Sequence, residues 1–238
     1  DAEANAAEHR MTRKVVKIMM QRGVFASIDI HNNSGLNPHY ACINRLDDTF
    51  LHLATMFSRI VVYFTNPKGV QSEAFAHLCP AVTLECGKPG GIGGIEHAAA
   101  FVEGALHLSS FPAHPVPKHD LNLFHSVAVV TVPEAISLSV GASSSDLCLE
   151  ENIDHYNFRE LEPGTRLGFV SDTNLMPLRA LNETGQDISG HYFEVKAGEL
   201  IIRRPVMPAM LTRDILIIRQ DCLCYLMERL ELKLISPL

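Results

Sequence analysis

Apolar strands that alternate with helices in the first part of the chain constrain its fold most strongly. Residues 60–64, Ile-Val-Val-Tyr-Phe, form a continuous apolar run, and residues 81–85, Ala-Val-Thr-Leu-Glu, form a second. Such runs are typical of strands that are buried on both faces. Helices are predicted before, between and after them, at residues 47–58, 70–78 and 95–109. This alternation predicts an α/β layer fold.

Another strand is predicted at residues 24–31, where an apolar run ends in a polar loop. Side chains alternate along a strand, so Asp29 and His31 are expected on the same face. In open α/β sheets, ligands bind in crevices outside the carboxyl ends of the strands. His31 ends this strand and Glu85 ends a later one, so both are candidates for a functional site.

The pattern changes after a segment with three prolines at residues 111–122. Short strands separated by turns with glycine and proline are predicted there. They lie at residues 124–132, 136–140, 146–150, 167–170, 192–196, 199–203, 214–218 and 222–234. We therefore predict an α/β domain at residues 1–112 and a smaller, mostly-β domain at residues 120–238.

Composition and charge exclude several classes of protein. The 238 residues carry a net charge of −7 and a sequence pI near 5.9, whereas a nucleic-acid-binding protein needs a basic surface for phosphates. The sequence shows neither a long apolar run typical of a membrane span nor a signal peptide. The six cysteines form no Cys-x-x-Cys pair, which favours reduced, buried thiols. We expect a soluble, cytoplasmic protein whose partner is a small molecule; no pattern decides between a monomer and a homo-oligomer.

Asp29, His31 and Glu85 form the combination with the clearest chemistry. A neutral imidazole is a good zinc ligand, and Asp29 on the same face can orient the ring of His31. A glutamate beside a zinc site can take a proton from water and pass it to a leaving nitrogen. From spacing alone, the alternative of a structural histidine at the end of a strand carries more weight than a metal ligand.

Two segments strengthen the metal interpretation. Residues 29–35, Asp-Ile-His-Asn-Asn-Ser-Gly, resemble the Asp-Leu-His-Asn-Thr-Thr type of segment found in aspartoacylases. Residues 83–91, Thr-Leu-Glu-Cys-Gly-Lys-Pro-Gly-Gly, resemble the Thr-Leu-Glu-Leu-Gly-Lys segment of succinylglutamate desuccinylases. Aspartoacylases and succinylglutamate desuccinylases belong to one family of zinc hydrolases, which is related in fold to the zinc carboxypeptidases. The resemblance covers roughly residues 1–110, and the remainder only as a β domain.

The resemblance implies a zinc-carboxypeptidase-like mixed sheet flanked by helices, and a role for each matched residue. His31 would be the third zinc ligand, and Glu85 the general base that activates water. Asn32 would lie near the substrate, and Asp29 would support His31. Arg45, which follows an asparagine as an arginine does in the family, is a candidate for binding a substrate carboxylate; a surface arginine is the alternative.

The chain also departs from the family pattern. The family takes its first two zinc ligands from a His-x-x-Glu segment before the Asp-x-His, and none of the 30 residues before His31 spells it. The Asn-Arg pair of the family, which precedes the same point, is absent too. Because the chain lacks an initiator methionine, we expect residues before Asp1; the alternative is a shortened, inactive relative. His191 and Glu194 form the sole His-x-x-Glu, but on a strand they would point to opposite faces.

Three functions follow, in order of preference. The first is a zinc-dependent hydrolase that cleaves the amide bond of an N-acyl amino acid. The second is a metallocarboxypeptidase-like enzyme that acts on peptides. The third is a metal-free, non-catalytic relative that serves as a binding module. The sequence does not identify the acyl group or the amino acid.

Overall fold

A computed structural model describes residues 7–141 and 144–231. Its helices are α1 (Ala7–Arg22), α2 (Asp48–Thr55), α3 (Gln71–Phe75), α4 (Ile92–Leu106), α5 (Ser189–Tyr192) and α6 (Ile215–Gln220). Its strands are β1 (Ser27–His31), β2 (Tyr40–Ile43), β3 (Ile60–Tyr63), β4 (Ala81–Glu85), β5 (Asn122–Thr131), β6 (Leu138–Val140), β7 (Leu147–Leu149), β8 (Arg166–Val170), β9 (Arg179–Leu181), β10 (Phe193–Lys196), β11 (Glu199–Ile202), β12 (Met207–Ala209) and β13 (Cys224–Arg229). Within these ranges, no helix has the length and apolarity needed to cross a membrane.

The described strands form two sheets. Eight of them make a mixed sheet in the order β1-β4-β2-β3-β5-β13-β12, with β9 also paired to β5. The other five form a second, smaller sheet in the order β10-β11-β8-β7-β6. Helices α2 and α4 contribute buried side chains to the core on the large sheet. The mixed α/β fold with a smaller second sheet confirms the predicted fold class.

Strands β1 and β4 lie side by side and run parallel. Their carboxyl ends, which carry the candidate residues, therefore lie at the same edge of the sheet. Their register pairs Asp29 with Thr83 and His31 with Glu85. Directly paired residues of neighbouring strands point to the same face. The two candidate residues that the sequence placed at strand ends are therefore adjacent in space.

Strand β2 was missed in the sequence and lies next to β4. Its four residues, Tyr-Ala-Cys-Ile, are all buried, so no polar alternation marks them as a strand. It runs antiparallel to β4, with Tyr40 opposite Glu85 and Cys42 opposite Thr83. The strand inserts between β4 and β3 and thereby widens the sheet at the candidate site.

The C-terminal part of the chain, from residue 122 onward, contributes to both sheets. Strand β5 pairs in parallel with β3, and β13 pairs with β5. The large sheet therefore continues across the proline-rich segment. The division into domains at 1–112 and 120–238 stays a prediction.

The strand predicted at residues 214–218 is wrong, because this segment is helix α6. Asp214 caps the helix: its carboxylate accepts hydrogen bonds from the backbone N–H groups of Leu216 and Ile217. An N-terminal cap of this kind stabilises a helix. The apolar run Ile-Leu-Ile-Ile predicts a strand from its composition, but the capping aspartate before it favours a helix.

A buried cluster joins the two parts of the chain on one face of the large sheet. It consists of Tyr40, Cys42, Val62, Phe124, Met207, Ala209 and Met227. The strand register places these side chains on the same face as Glu85. The face that carries the candidate residues therefore continues into an apolar surface.

Candidate active site

The imidazole of His31 lies between two carboxylates at the end of β1. Its Nε2 is 3.1 Å from Asp29 Oδ2, and its Nδ1 is 3.9 Å from Glu85 Oε1. The His31 side chain is 49 % exposed, whereas the Glu85 side chain is 4 % exposed. When the ring proton is on Nε2, which faces Asp29, the lone pair of Nδ1 is free. A carboxylate supports a metal-binding histidine in this way.

Glu85 is a buried carboxyl group at the edge of a cleft. Burial raises the pKa of Glu85, while the hydrogen bond from Asn33 and the proximity of His31 lower it and the charge of Asp29 raises it further. The net shift is upward from the ordinary value. A general base or acid works best with a pKa shifted towards neutral pH, and Glu85 has that property.

Two consecutive asparagines connect the loop after β1 to the loop after β4. Asn32 Nδ2 donates a hydrogen bond to the carbonyl of Gly87 at 3.2 Å. The Asn33 backbone N–H also donates to this carbonyl, and Asn33 Nδ2 donates to Glu85 Oε2 at 3.0 Å. The sequence pointed to Asn32 through the resemblance but not to Asn33, whose contact with Glu85 depends on the pairing of β1 and β4.

A cleft of about 570 Å³ lies over this face of the sheet. We call the part lined by His31, Asn32, Asn33 and Glu85 the polar end. We call the part lined by Cys42, Val62, Phe64 and Met227 the apolar end. The cleft therefore places a reactive group beside a surface that suits an apolar portion of a ligand.

Residues of the C-terminal part form one wall of the cleft. Helix α6 contributes Ile217, and the segment after it contributes Cys222 and Tyr225. The side chains of Tyr225 and Cys222 lie close enough to influence each other's pKa. Burial raises the pKa of the Cys222 thiol to about 12, so this thiol is protonated at neutral pH.

The structure does not place Arg45 among the residues that line the cleft, and its role in substrate binding stays a prediction. Because β2 runs antiparallel to β4, its first residue lies beside Glu85 and its last residue lies at the opposite end of the strand. Arg45 follows that last residue. Its guanidinium donates to the carbonyl of Ala76 at 3.1 Å and lies over the ring of Phe50.

The described residues supply only part of what a zinc site requires. Zinc in enzymes takes three protein ligands. In residues 7–141 and 144–231, no group of three or more His, Cys, Asp or Glu side chains could hold a metal ion. His31, supported by Asp29, fits the position of one ligand. His191 lies in α5 and Glu194 in β10, so the His-x-x-Glu of the C-terminal part spans the junction of a helix and a strand.

No protein-family model matches this sequence, and no curated protein matches it either. Solved structures do match. Murine aminoacylase 3 aligns at 12 % identity with a TM-score of 0.57, over 95 % of this chain and 71 % of that chain. The succinylglutamate desuccinylase/aspartoacylase from Rhodobacter sphaeroides aligns at 14 % identity with a TM-score of 0.53, over 95 % of this chain and 65 % of that chain.

A third structure extends the agreement. Succinylglutamate desuccinylase from Vibrio parahaemolyticus aligns at 11 % identity with a TM-score of 0.55, over 95 % of this chain and 62 % of that chain. This chain thus spans 62 % to 71 % of the length of the three proteins. It has the fold of aminoacylase 3 and of the succinylglutamate desuccinylases, which is the fold that the segments at residues 29–35 and 83–91 predicted.

Proposed function

We propose that this protein is a zinc-dependent hydrolase that cleaves the amide bond of an N-acyl amino acid. One observation carries the proposal: His31 and Glu85 end neighbouring parallel strands, lie opposite each other and line one cleft. An imidazole and a buried carboxylate in this relation can supply one metal ligand and the general base of metal-assisted amide hydrolysis. The structural neighbours, which are named as an aminoacylase and as desuccinylases, support the choice of an N-acyl amino acid as substrate.

His31 would hold zinc through Nδ1, because its Nε2 faces Asp29 at 3.1 Å. Bound zinc supplies Lewis acidity, which polarises a carbonyl group and makes water easier to deprotonate. Asp29 would keep the ring in the tautomer with the proton on Nε2 and would strengthen Nδ1 as a ligand.

Glu85 would carry the proton of the reaction. Its Oε1 accepts a proton from water as the water oxygen bonds to the amide carbon. The protonated carboxyl then gives this proton to the nitrogen as the carbon–nitrogen bond breaks. The products are a carboxylic acid and a free amino group, so atoms and charge balance. Asn32 lines the same end of the cleft and would contact the substrate.

The substitution Glu85→Gln tests the base. We expect kcat on N-acetyl and N-succinyl amino acids to fall by a factor of about 10² to 10⁴, because Gln has a similar shape but cannot accept the proton. Zinc content, measured by mass spectrometry of the metal, should stay as in the parent protein. Glu194→Gln is the matched control, because Glu194 is exposed on β10 and outside the cleft. Full activity of the Glu85 variant would rule out the proposal.

The substitution His31→Ala tests the metal. We expect zinc to be lost from this variant, since His31 is the imidazole that would hold the metal beside Glu85. Full zinc occupancy would show that His31 is not a ligand.

The substrate panel distinguishes the alternatives. Cleavage of C-terminal peptide bonds in place of N-acyl amino acids would indicate a metallocarboxypeptidase-like enzyme. A parent protein that binds no zinc and hydrolyses neither class would favour a metal-free binding module. The observation that favours this last candidate is that the described residues contain no group of three or more side chains that could hold a metal ion.

A further inference from the structure

A chain of hydrogen bonds leads from the C-terminal part of the protein to Glu85. The backbone N–H of Met210 donates to Asn37 Oδ1 at 3.0 Å. Asn37 Nδ2 donates to Asn33 Oδ1 at 2.7 Å. Asn33 Nδ2 donates to Glu85 Oε2 at 3.0 Å. We call these three hydrogen bonds the relay.

The direction of the relay follows from its first member. A backbone N–H can only donate, so the atom of Asn37 that faces Met210 must be the amide oxygen. The amide nitrogen of Asn37 then faces Asn33 and must meet an oxygen there. This leaves the amide nitrogen of Asn33 towards Glu85. The orientations of both amides are thus set by the backbone N–H of Met210, directly after β12.

The start of the relay is firmly held. The backbone N–H of Leu211 donates to Asn157 Oδ1 at 2.8 Å, and Asn157 Nδ2 donates back to the Leu211 carbonyl at 2.7 Å. Gly35 lies against the same groups: a Cβ there would be 2.6 Å from Asn37 Nδ2 and 2.9 Å from the Leu211 oxygen. The loop after β1 therefore packs against the C-terminal part without room for a side chain.

The relay leaves the two oxygens of Glu85 in different surroundings. Oε2 accepts the hydrogen bond from Asn33, while Oε1 faces His31 Nδ1 at 3.9 Å. A distance of 3.9 Å is too long for a hydrogen bond, so Oε1 keeps its capacity to accept one. A donor that holds one oxygen restricts rotation of the carboxylate and directs the other oxygen into the site.

We propose that Asn33 is a positioning residue, which holds Oε2 of Glu85 so that Oε1 is the proton-accepting atom, and that Asn37 and the Met210 N–H fix Asn33 in the orientation this requires. This inference rests on the proposed function and deepens it. It makes the C-terminal part of the chain a contributor to catalysis through a backbone group.

Two substitutions interrupt the relay at different points. Asn33→Ala removes the donor to Glu85. Asn37→Asp keeps the oxygen that accepts from Met210 but replaces the donor to Asn33 with a second oxygen, so Asn33 must turn its own oxygen towards Glu85. For both variants we expect kcat to fall by about 10-fold to 100-fold, the range found for groups that orient catalytic residues. KM and zinc content should remain those of the parent protein.

Asn182→Asp is the matched control for the substitution at Asn37. The side-chain oxygen of Asn182 accepts from the N–H groups of Thr184 and Gln186 in a turn outside the cleft, and an aspartate keeps that role. We expect its kcat and KM to equal those of the parent. A loss of kcat that appears at Asn37 but not at Asn182 separates the relay from a general effect of the added charge.

A spectroscopic measurement tests the relay without any assay of activity. In a ¹H–¹⁵N correlation spectrum of protein with labelled asparagine, the side-chain amide of Asn33 is the pair of signals lost in Asn33→Ala. We expect Glu85→Gln and Asn37→Asp each to shift this pair, and Asn182→Asp to leave it in place. A pair that does not move in Glu85→Gln would overturn the inference.

The kinetic outcomes separate this inference from the proposed function. Loss of activity in Glu85→Gln together with the parent kcat in Asn33→Ala would overturn the positioning role alone. Full activity in Glu85→Gln would overturn the proposed function and, with it, the role of Asn33.

Discussion

The two ends of the cleft differ in how far apart their residues lie in the sequence. The polar end takes His31, Asn32 and Asn33 from consecutive positions and adds Glu85 from the neighbouring strand. The apolar end takes its side chains from separate strands in both parts of the chain. The reactive groups therefore lie in two short segments, whereas the shape of the cleft depends on packing between distant segments.

The two ends also gain their stability differently. At the polar end, burial of the Glu85 carboxyl is compensated by the hydrogen bond from Asn33 and by the nearby imidazole of His31. At the apolar end, Val62 and Met227 are buried in a cluster that joins the two parts of the chain. Burial of apolar surface stabilises the fold directly. Substitutions at the polar end should therefore affect function more than stability, and those at the apolar end stability more than function.

The largest effect on stability is expected from Met227→Ala at the apolar end. Met227 is fully buried, so its truncation should lower the free energy of unfolding by about 2–5 kcal/mol through lost contacts and a new cavity. Urea denaturation of the zinc-free protein measures this change.

The comparison variant is His31→Ala, measured in the same way. Its side chain is half exposed, so we expect a change within about 1 kcal/mol. Equal losses of stability in the two variants would contradict the difference between the two ends of the cleft.

An intermediate effect is expected from Gly35→Ala beside the polar end. The added Cβ would meet Asn37 Nδ2 and the Leu211 oxygen at less than 3.0 Å, so the loop or the C-terminal segment must shift. We expect a loss of about 1–3 kcal/mol in the free energy of unfolding. A fall in kcat should accompany it, because the shift displaces Asn37.

Gly93→Ala serves as the matched glycine control. No atom lies within 4 Å of a Cβ at Gly93, which is in helix α4. Alanine favours a helix over glycine, so we expect unchanged stability or a gain of up to about 1 kcal/mol. A parent-like stability of Gly35→Ala would show that the two segments approach less closely than the structure indicates.

The smallest effect is expected from Arg45→Ala, which lies outside both ends of the cleft. Its hydrogen bond to Ala76 and its contact with Phe50 should make the substitution cost about 1 kcal/mol of stability. We expect KM to stay within about twofold of the parent, because no interaction with the substrate is removed. A tenfold or greater rise in KM would mean that Arg45 reaches the substrate after all.

The outcome for individual elements shows which sequence signals carried information. The run at residues 81–85 coincides with β4, since a continuous apolar strand bounded by a glycine-rich loop has few alternatives. Strand β2 was not predicted, because its run of four residues is short and includes Ala, which is depleted in strands. The apolar run at residues 214–218 predicts a strand, and the capping contacts of Asp214 show why it forms a helix.

Some residues of the candidate site could be predicted from the sequence, and others could not. His31 and Glu85 stand at strand ends and Asp29 lies two residues before His31, all in recognisable segments, and the structure brings the three together. Asn33 and Asn37 carry no signal of their own, because asparagines in a loop usually serve the turn itself. Arg45 was attractive in sequence, but the antiparallel course of β2 carries it away from Glu85.

The sequence by itself determined the candidate groups, because strand periodicity and the two short segments place His31 and Glu85 at strand ends and Asp29 on the same face as His31. Tertiary structure alone decided which of these groups meet and what surrounds them. The order β1-β4-β2 sets His31 opposite Glu85, and the return of β13 beside β5 supplies one wall of the cleft. Such contacts join residues far apart in the chain, and their geometry depends on the packing of the whole sheet, which no local pattern records.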